Sequence, residues 1–93
     1  MSLSFSWDPS KASSNLKKHG VGFPEATTVF GDPLSRTIPD SDHSRGESRY
    51  ITLGWSTLGR LLVVVHVDRN TIVRIISART TTRTERRHYE NQI

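Results

Sequence analysis

The chain has 93 residues, 24% charged and 33% hydrophobic, with a formal charge of +4 and no cysteine. This length implies one domain spanning 1–93, the clustered apolar residues argue against general disorder, and the lack of thiols excludes disulfides and thiolate zinc sites. No apolar run approaches the roughly 18 residues that a bilayer-spanning helix needs, and the N-terminus does not read as a signal peptide, so a reducing, cytoplasmic setting is expected.

Residues 1–4 are where disorder or a cloning leader is expected, although Leu3 to Trp7 alternates in polarity and predicts a short first strand. Asp8-Pro9 then opens a helix, with Asp8 capping free N–H groups and Pro9 at the first helical position. Ala12, Leu16 and His19 follow at helical spacing, Lys17 and Lys18 sit in the last turn, and Gly20 stops it. A second short helix is predicted over Pro24 to Phe30, ended by Gly31-Asp32-Pro33. Leu34 to Ile38 predicts a strand, and the polar stretch 39–48 a loop.

Three strands follow. In Arg49 to Trp55 the alternation puts Arg49, Ile51, Leu53 and Trp55 on one face and Tyr50, Thr52 and Gly54 on the other. Leu61 to Val67 is almost wholly β-branched or Leu, as in a central strand buried on both faces. Ile72 to Ala78 is the third. The links 56–59 and 68–70 are short, which fits antiparallel hairpins and excludes parallel crossovers. Thr82-Arg83-Thr84-Glu85 reads as a capping box opening a last helix from about Arg83 to Glu90. The order β-α-α-β-β-β-β-α predicts an α+β fold: an antiparallel sheet of four to five strands, two N-terminal helices and one C-terminal helix packed on it.

The charge is unevenly placed. Residues 1–46 carry five Lys/Arg and five Asp/Glu, whereas 47–93 carry eight Arg and four acids, with no Lys. A guanidinium is a planar fork suited to phosphate and to stacking on bases, so the charge fits a nucleic-acid partner, but it equally describes an ordinary solvated arginine-rich face. The densest signal is RIISARTTTRTERRHYE (74–90), where Arg79 ends a strand and a capped helix presents Arg83, Arg86, Arg87, His88 and Tyr89. The same pattern also describes an ordinary basic amphipathic helix. Lys17-Lys18-His19-Gly20 places a cation and an imidazole at a helix end. Glu47-Ser48-Arg49 fits a surface ion pair, and His66, within an apolar run, fits a satisfied core histidine better than a catalytic one. The four histidines (His19, His43, His66, His88) have no metal-ligand spacing, so no metal and no cofactor are expected. Trp55, Leu58 and Phe30 fit core packing better than partner contacts.

Four segments, FSWDPSKASSNLKKHGVGFPEATTVFGDPL (5–34), GESRYITLG (46–54), GRLLVVVH (59–66) and RIISARTTTRTERRHYE (74–90), together resemble the BrnT family of bacterial type II toxins. The resemblance runs from Phe5 to Glu90. It rests on the series W-D-x-x-K, N-x-x-K-H-G-x-x-F-x-E-A, D-P, E-x-R, R-I-I-S-A-R, E-R and Y. The matching positions are Lys18, His19, Glu47, Arg49, His66, Arg74, Arg79, Glu85, Arg86 and Tyr89; Asp68-Arg69-Asn70, in place of a Gly-containing turn, is a departure confined to a hairpin. The resemblance implies a RelE-like fold and a cytoplasmic ribonuclease toxin that inhibits translation. Its implied partner is a BrnA-type antitoxin with a ribbon-helix-helix domain, through which alone operator DNA is met.

A metal-free ribonuclease needs a base for the 2′-OH, cations for the phosphorane and an acid for the leaving oxygen. Arg79 and Arg86, flanking the strand-to-helix turn, are expected on the phosphate. His19 or Glu85 is expected in proton transfer, and Tyr89 as acid or stacking surface. Lys18, Arg49, Arg74 and Arg83 are expected to bind RNA. The rival expectation is a non-catalytic module that binds nucleic acid or protein through the same arginine face.

Overall fold

Local signals fix the helices. In the computed structural model, which describes residues 3–43 and 46–91, helix α1 (Pro9–His19) begins where Asp8 Oδ1 accepts from the Ser10 N–H at 2.8 Å. It ends on Gly20, whose φ of 69° is the left-handed turn a glycine takes without strain. Helix α2 (Phe23–Thr28) starts one residue earlier than expected and runs into a 3-10 turn at Val29–Gly31, so the expected Pro24–Phe30 helix tightens at its end. Helix α3 (Arg83–Glu90) carries both halves of the capping box between Thr82 and Glu85.

Five strands, β1 (Ser4–Ser6), β2 (Arg36–Pro39), β3 (Arg49–Trp55), β4 (Leu61–Arg69) and β5 (Ile72–Thr80), form one sheet in the order β1-β5-β4-β3-β2. All pairs are antiparallel except β1 with β5. Ser4, expected in the leader, therefore belongs to the sheet, while Met1 and Ser2 lie outside the described residues. Pro39 is tolerated because β2 is an edge strand, and Ser44 and Arg45 of the expected loop lie outside the described residues. The β4–β5 hairpin turns at Asn70, which takes a φ of 56°, so β4 runs two residues further than expected, and β5 runs two further at its far end, to Thr80.

The two sheet faces differ. On one, α1 and α2 lay Val21, Phe23, Ala26 and Val29 over Leu62, Val64, Val73, Ile75 and Ala78, the fully packed core. His66 lies on this side, 1% exposed, its ring nitrogens 2.6 Å from Asp68 Oδ1 and 2.7 Å from Thr52 Oγ1, so it is the satisfied core histidine expected. Phe30 packs against its ring and Leu58 stands exposed in a hairpin. The opposite face carries Ile51, Leu53, Val63, Val65 and Val67, and α3 lies over one end of it.

Three polar devices hold the frame. Asn15 of α1 reaches the β5 edge: its amide donates to Ala78 O at 2.8 Å and accepts from Ala78 N–H at 3.1 Å. The side chain thus stands in for a neighbouring strand where β1 has ended. Glu25 is pinned by Arg60 and by Ser56 Oγ at 2.7 Å, and the Arg60 hydrogen bonds hold its carboxyl below the usual range. Gly54 lets the loop over β3 come close, because a Cβ there would meet Val29 Cγ1 and Ser35 Cβ at 2.9 Å.

Candidate active site

Register decides which arginines share the open face. Arg36 pairs with Leu53, Leu53 with Val63 and Val63 with Arg79, giving a row across the sheet with an arginine at each end. Arg49 and Arg74 flank Val67 in a second row, four residues and about 13 Å along β4. Arg74 and Arg79 are an odd number of residues apart, so an unbroken strand would put them on opposite faces. The register shift opposite Val65 and His66 leaves Ile76 unpaired, and this bulge returns both arginines to one face.

Helix α3 roofs one end of that face. A groove of about 300 Å³ lies beneath it, floored by Ile38, Ile51, Leu53 and Val63 and rimmed by Arg36, Glu85 and His88. Arg79 stands behind Glu85 as a bidentate partner, with Nη1 and Nη2 each 2.8 Å from a carboxylate oxygen. Nη1 also donates to Thr80 O at 3.2 Å. A guanidinium has five N–H donors, so Nε and one Nη2 donor stay free while the fork is fixed in direction. The Arg79 hydrogen bonds, against the opposing effect of burial, hold the Glu85 carboxyl down at about 2.

Other expected residues are placed elsewhere. Tyr89 is 2% exposed and its hydroxyl donates to Asp32 Oδ2 at 2.8 Å. Burial first, and Asp32 second, push its phenol up to about 12. It is thus an anchor for α3, with no ring face or proton available to a substrate. Burial opposes the charge on Asp32, but N–H groups of Trp55 and Leu34 and the Tyr89 hydroxyl outweigh it and hold the carboxyl low. Lys18 and His19 line a separate groove with Ile76 and Ser77 on the β5 edge, not the one beneath α3. Arg86 and Arg83 line a third cleft with Trp55, and Arg79 lines neither that cleft nor the groove beneath α3, so the two arginines expected together on the phosphate do not share either one. At the far end of the open face, Arg74 and Arg69 share a cavity of about 370 Å³ with Glu47. Glu47 is 3.9 Å from Arg69, and Arg49 Nε is 3.4 Å from Asp40, so the expected Glu47–Arg49 pair is replaced by two others.

Arg36 was not singled out by sequence, and His88 only as part of the basic last helix, with no role at a site. Their signal existed: Arg36 sits in an expected strand, and His88 follows Glu85 by three residues, hence on the same helix side.

The family model described as the ribonuclease toxin BrnT of type II toxin-antitoxin systems matches residues 7–85. The chain belongs to the BrnT family. No curated protein matches it by sequence. In fold it is similar to the ribonuclease toxin BrnT of Brucella abortus, known from a 1.1 Å crystal structure, with a TM-score of 0.68 and 18% identity over 88% of this chain and 100% of that one. That likeness bears out the α+β architecture. BrnT membership makes the chain a ribonuclease toxin of a type II system, with an antitoxin as partner. Among the described residues, no helix is long and apolar enough to cross a membrane.

Proposed function

We propose that this BrnT-family chain is a metal-independent endoribonuclease that cuts RNA beneath α3, inhibits translation in the cytoplasm, and is neutralised by a BrnA-type antitoxin whose ribbon-helix-helix domain reads operator DNA. The observation that carries the cutting reading is the directed Arg79–Glu85 fork beside a groove with an apolar floor and a rim of Arg36 and His88. RNA supplies its own 2′-OH nucleophile. The free donors of Arg79 stabilise the phosphorane, and Arg36 faces them from the other end of the same row.

Proton transfer falls to His88. Glu85 titrates at about 2 and Tyr89 at about 12, both too far from neutrality to exchange protons efficiently. His88 presents an imidazole, the side chain most often used as a general acid or base, exposed on the groove rim. Arg49 and Arg74 bind the backbone of the strand further along the face. His19 and Lys18 act around the β5 edge on flanking RNA.

The test is cleavage of matched RNA and DNA single strands in excess chelator. Chelator-resistant cutting of RNA alone is the expected result, and salt-sensitive binding of both without cutting replaces it with the non-catalytic module. One observation favours that module: the charge of Arg79 is balanced by Glu85 before any substrate arrives.

A further inference from the structure

We propose that Trp55 and Arg86 form a stacking platform that binds one unpaired base of the RNA, beyond the groove where cutting takes place. The inference rests on the ribonuclease reading and names a subsite for its substrate. Trp55 ends β3 on the open face, and the Arg86 guanidinium carbon lies 5.0 Å from the centre of its ring. Arg86 Nε donates to Glu90 Oε2 at 3.3 Å, so the plane is held by an indole on one side and a carboxylate at one edge. The Arg86 side chain remains 51% exposed, which leaves its other face to a ligand.

That ligand is a flat aromatic ring carrying a negative charge nearby. A guanidinium plane stacks on nucleobases, and a base splayed out of a single strand offers the complementary surface. The surrounding cleft, about 510 Å³, is walled by Leu61, Thr80, Thr81 and Arg83. Arg83, three residues before Arg86, has no partner among the described residues and stands at the rim for a phosphate. Arg60 also lines the cleft, but its charge is paired with Glu25 and three of its five donors go to Glu25 and Gly20 O. Among the described residues the cleft therefore offers a stacking plane with one cation, Arg83, that no acid pairs, as a single nucleotide requires. A base-paired nucleotide keeps its faces stacked on its neighbours and cannot enter. Arg86 thereby acts in binding, not on the scissile phosphate.

The chain has two tryptophans, Trp7 and Trp55, and Trp7 packs edge-on to Phe23 on the helix side. A Trp7→Phe protein isolates the Trp55 emission. Titration with a short 2′-O-methyl oligonucleotide, which lacks the nucleophile, is compared with the same strand carrying abasic sites. The base-bearing strand is expected to quench Trp55 and to bind about tenfold more tightly. Arg86→Lys, which keeps the charge and removes the plane, is expected to bring the two affinities together. In cleavage of ordinary RNA its loss appears in KM and not in kcat. Equal affinity for the two strands, or discrimination that survives both Arg86→Lys and Trp55→Leu, overturns the platform. If the wild-type chain cuts no RNA, the ribonuclease reading fails by itself, and the base-to-abasic ratio still decides the platform.

Discussion

Glu85 satisfies three donors with two oxygens: Oε1 accepts from Arg79 and from the Thr82 N–H, and Oε2 from Arg79. Its pKa, lowered from 4.5 to about 2, has a direct thermodynamic consequence. A depressed carboxylate stabilises the fold fully above the unfolded value and loses that contribution as pH falls through the folded one. Wild type is therefore expected to melt above Glu85→Gln at neutral pH, and the gap to close between about pH 4.5 and pH 2 in a thermal-unfolding series. A gap that is constant with pH would mean that the carboxylate charge contributes nothing. Sequence reading reached this residue because a capping box is local. It did not reach the Tyr89–Asp32 bond, which joins positions 57 apart, so a tyrosine beside arginines looked like a stacking surface when it is an anchor.

Helices, hairpins and the central strand were legible because their causes lie within a few residues: Asp8-Pro9, Gly20, the Thr82–Glu85 box and the alternation in β3. The bulge at Ile76 was not. It arises from the register between β4 and β5, and period-2 counting alone would have sent Arg74 to the helix-packed face. Asn15 is the other device that sequence could not reveal, since at a helix interior position it reads as merely polar. Asn15→Ala strips the Ala78 N–H and C=O of their partner on a buried edge, at an expected cost of about 1–3 kcal/mol in urea unfolding. Hydrogen exchange at the Ala78 amide is expected to quicken by more than at Val64 in the protected centre of the sheet. Unchanged exchange there would show that the edge is closed by something other than this amide.

Taken as a whole, the molecule separates its tasks by face. Helices α1 and α2 cover one side of the sheet, and register turns Arg36, Arg49, Arg69, Arg74 and Arg79 to the other, where α3 lies over one end. The excess positive charge of the second half of the sequence is thereby concentrated on a surface, although the count alone could not say which one. Each phosphate contact on a single strand contributes a salt slope of about 0.7, so Arg74→Ala is expected to flatten the log–log salt dependence of RNA binding by about that amount, uniformly across sequences. An unchanged slope would take Arg74 out of the binding surface. In the proposed ribonuclease, the Arg79 fork held by Glu85 stabilises the transition state of RNA cleavage. The most direct test of that role is the single-turnover rate at saturating RNA, in chelator, for wild type and for a folded Arg79→Ala. A fall of about 10²–10³ in rate is expected, and an Arg79→Ala protein that cuts as fast as wild type contradicts a role for Arg79 in the transition state.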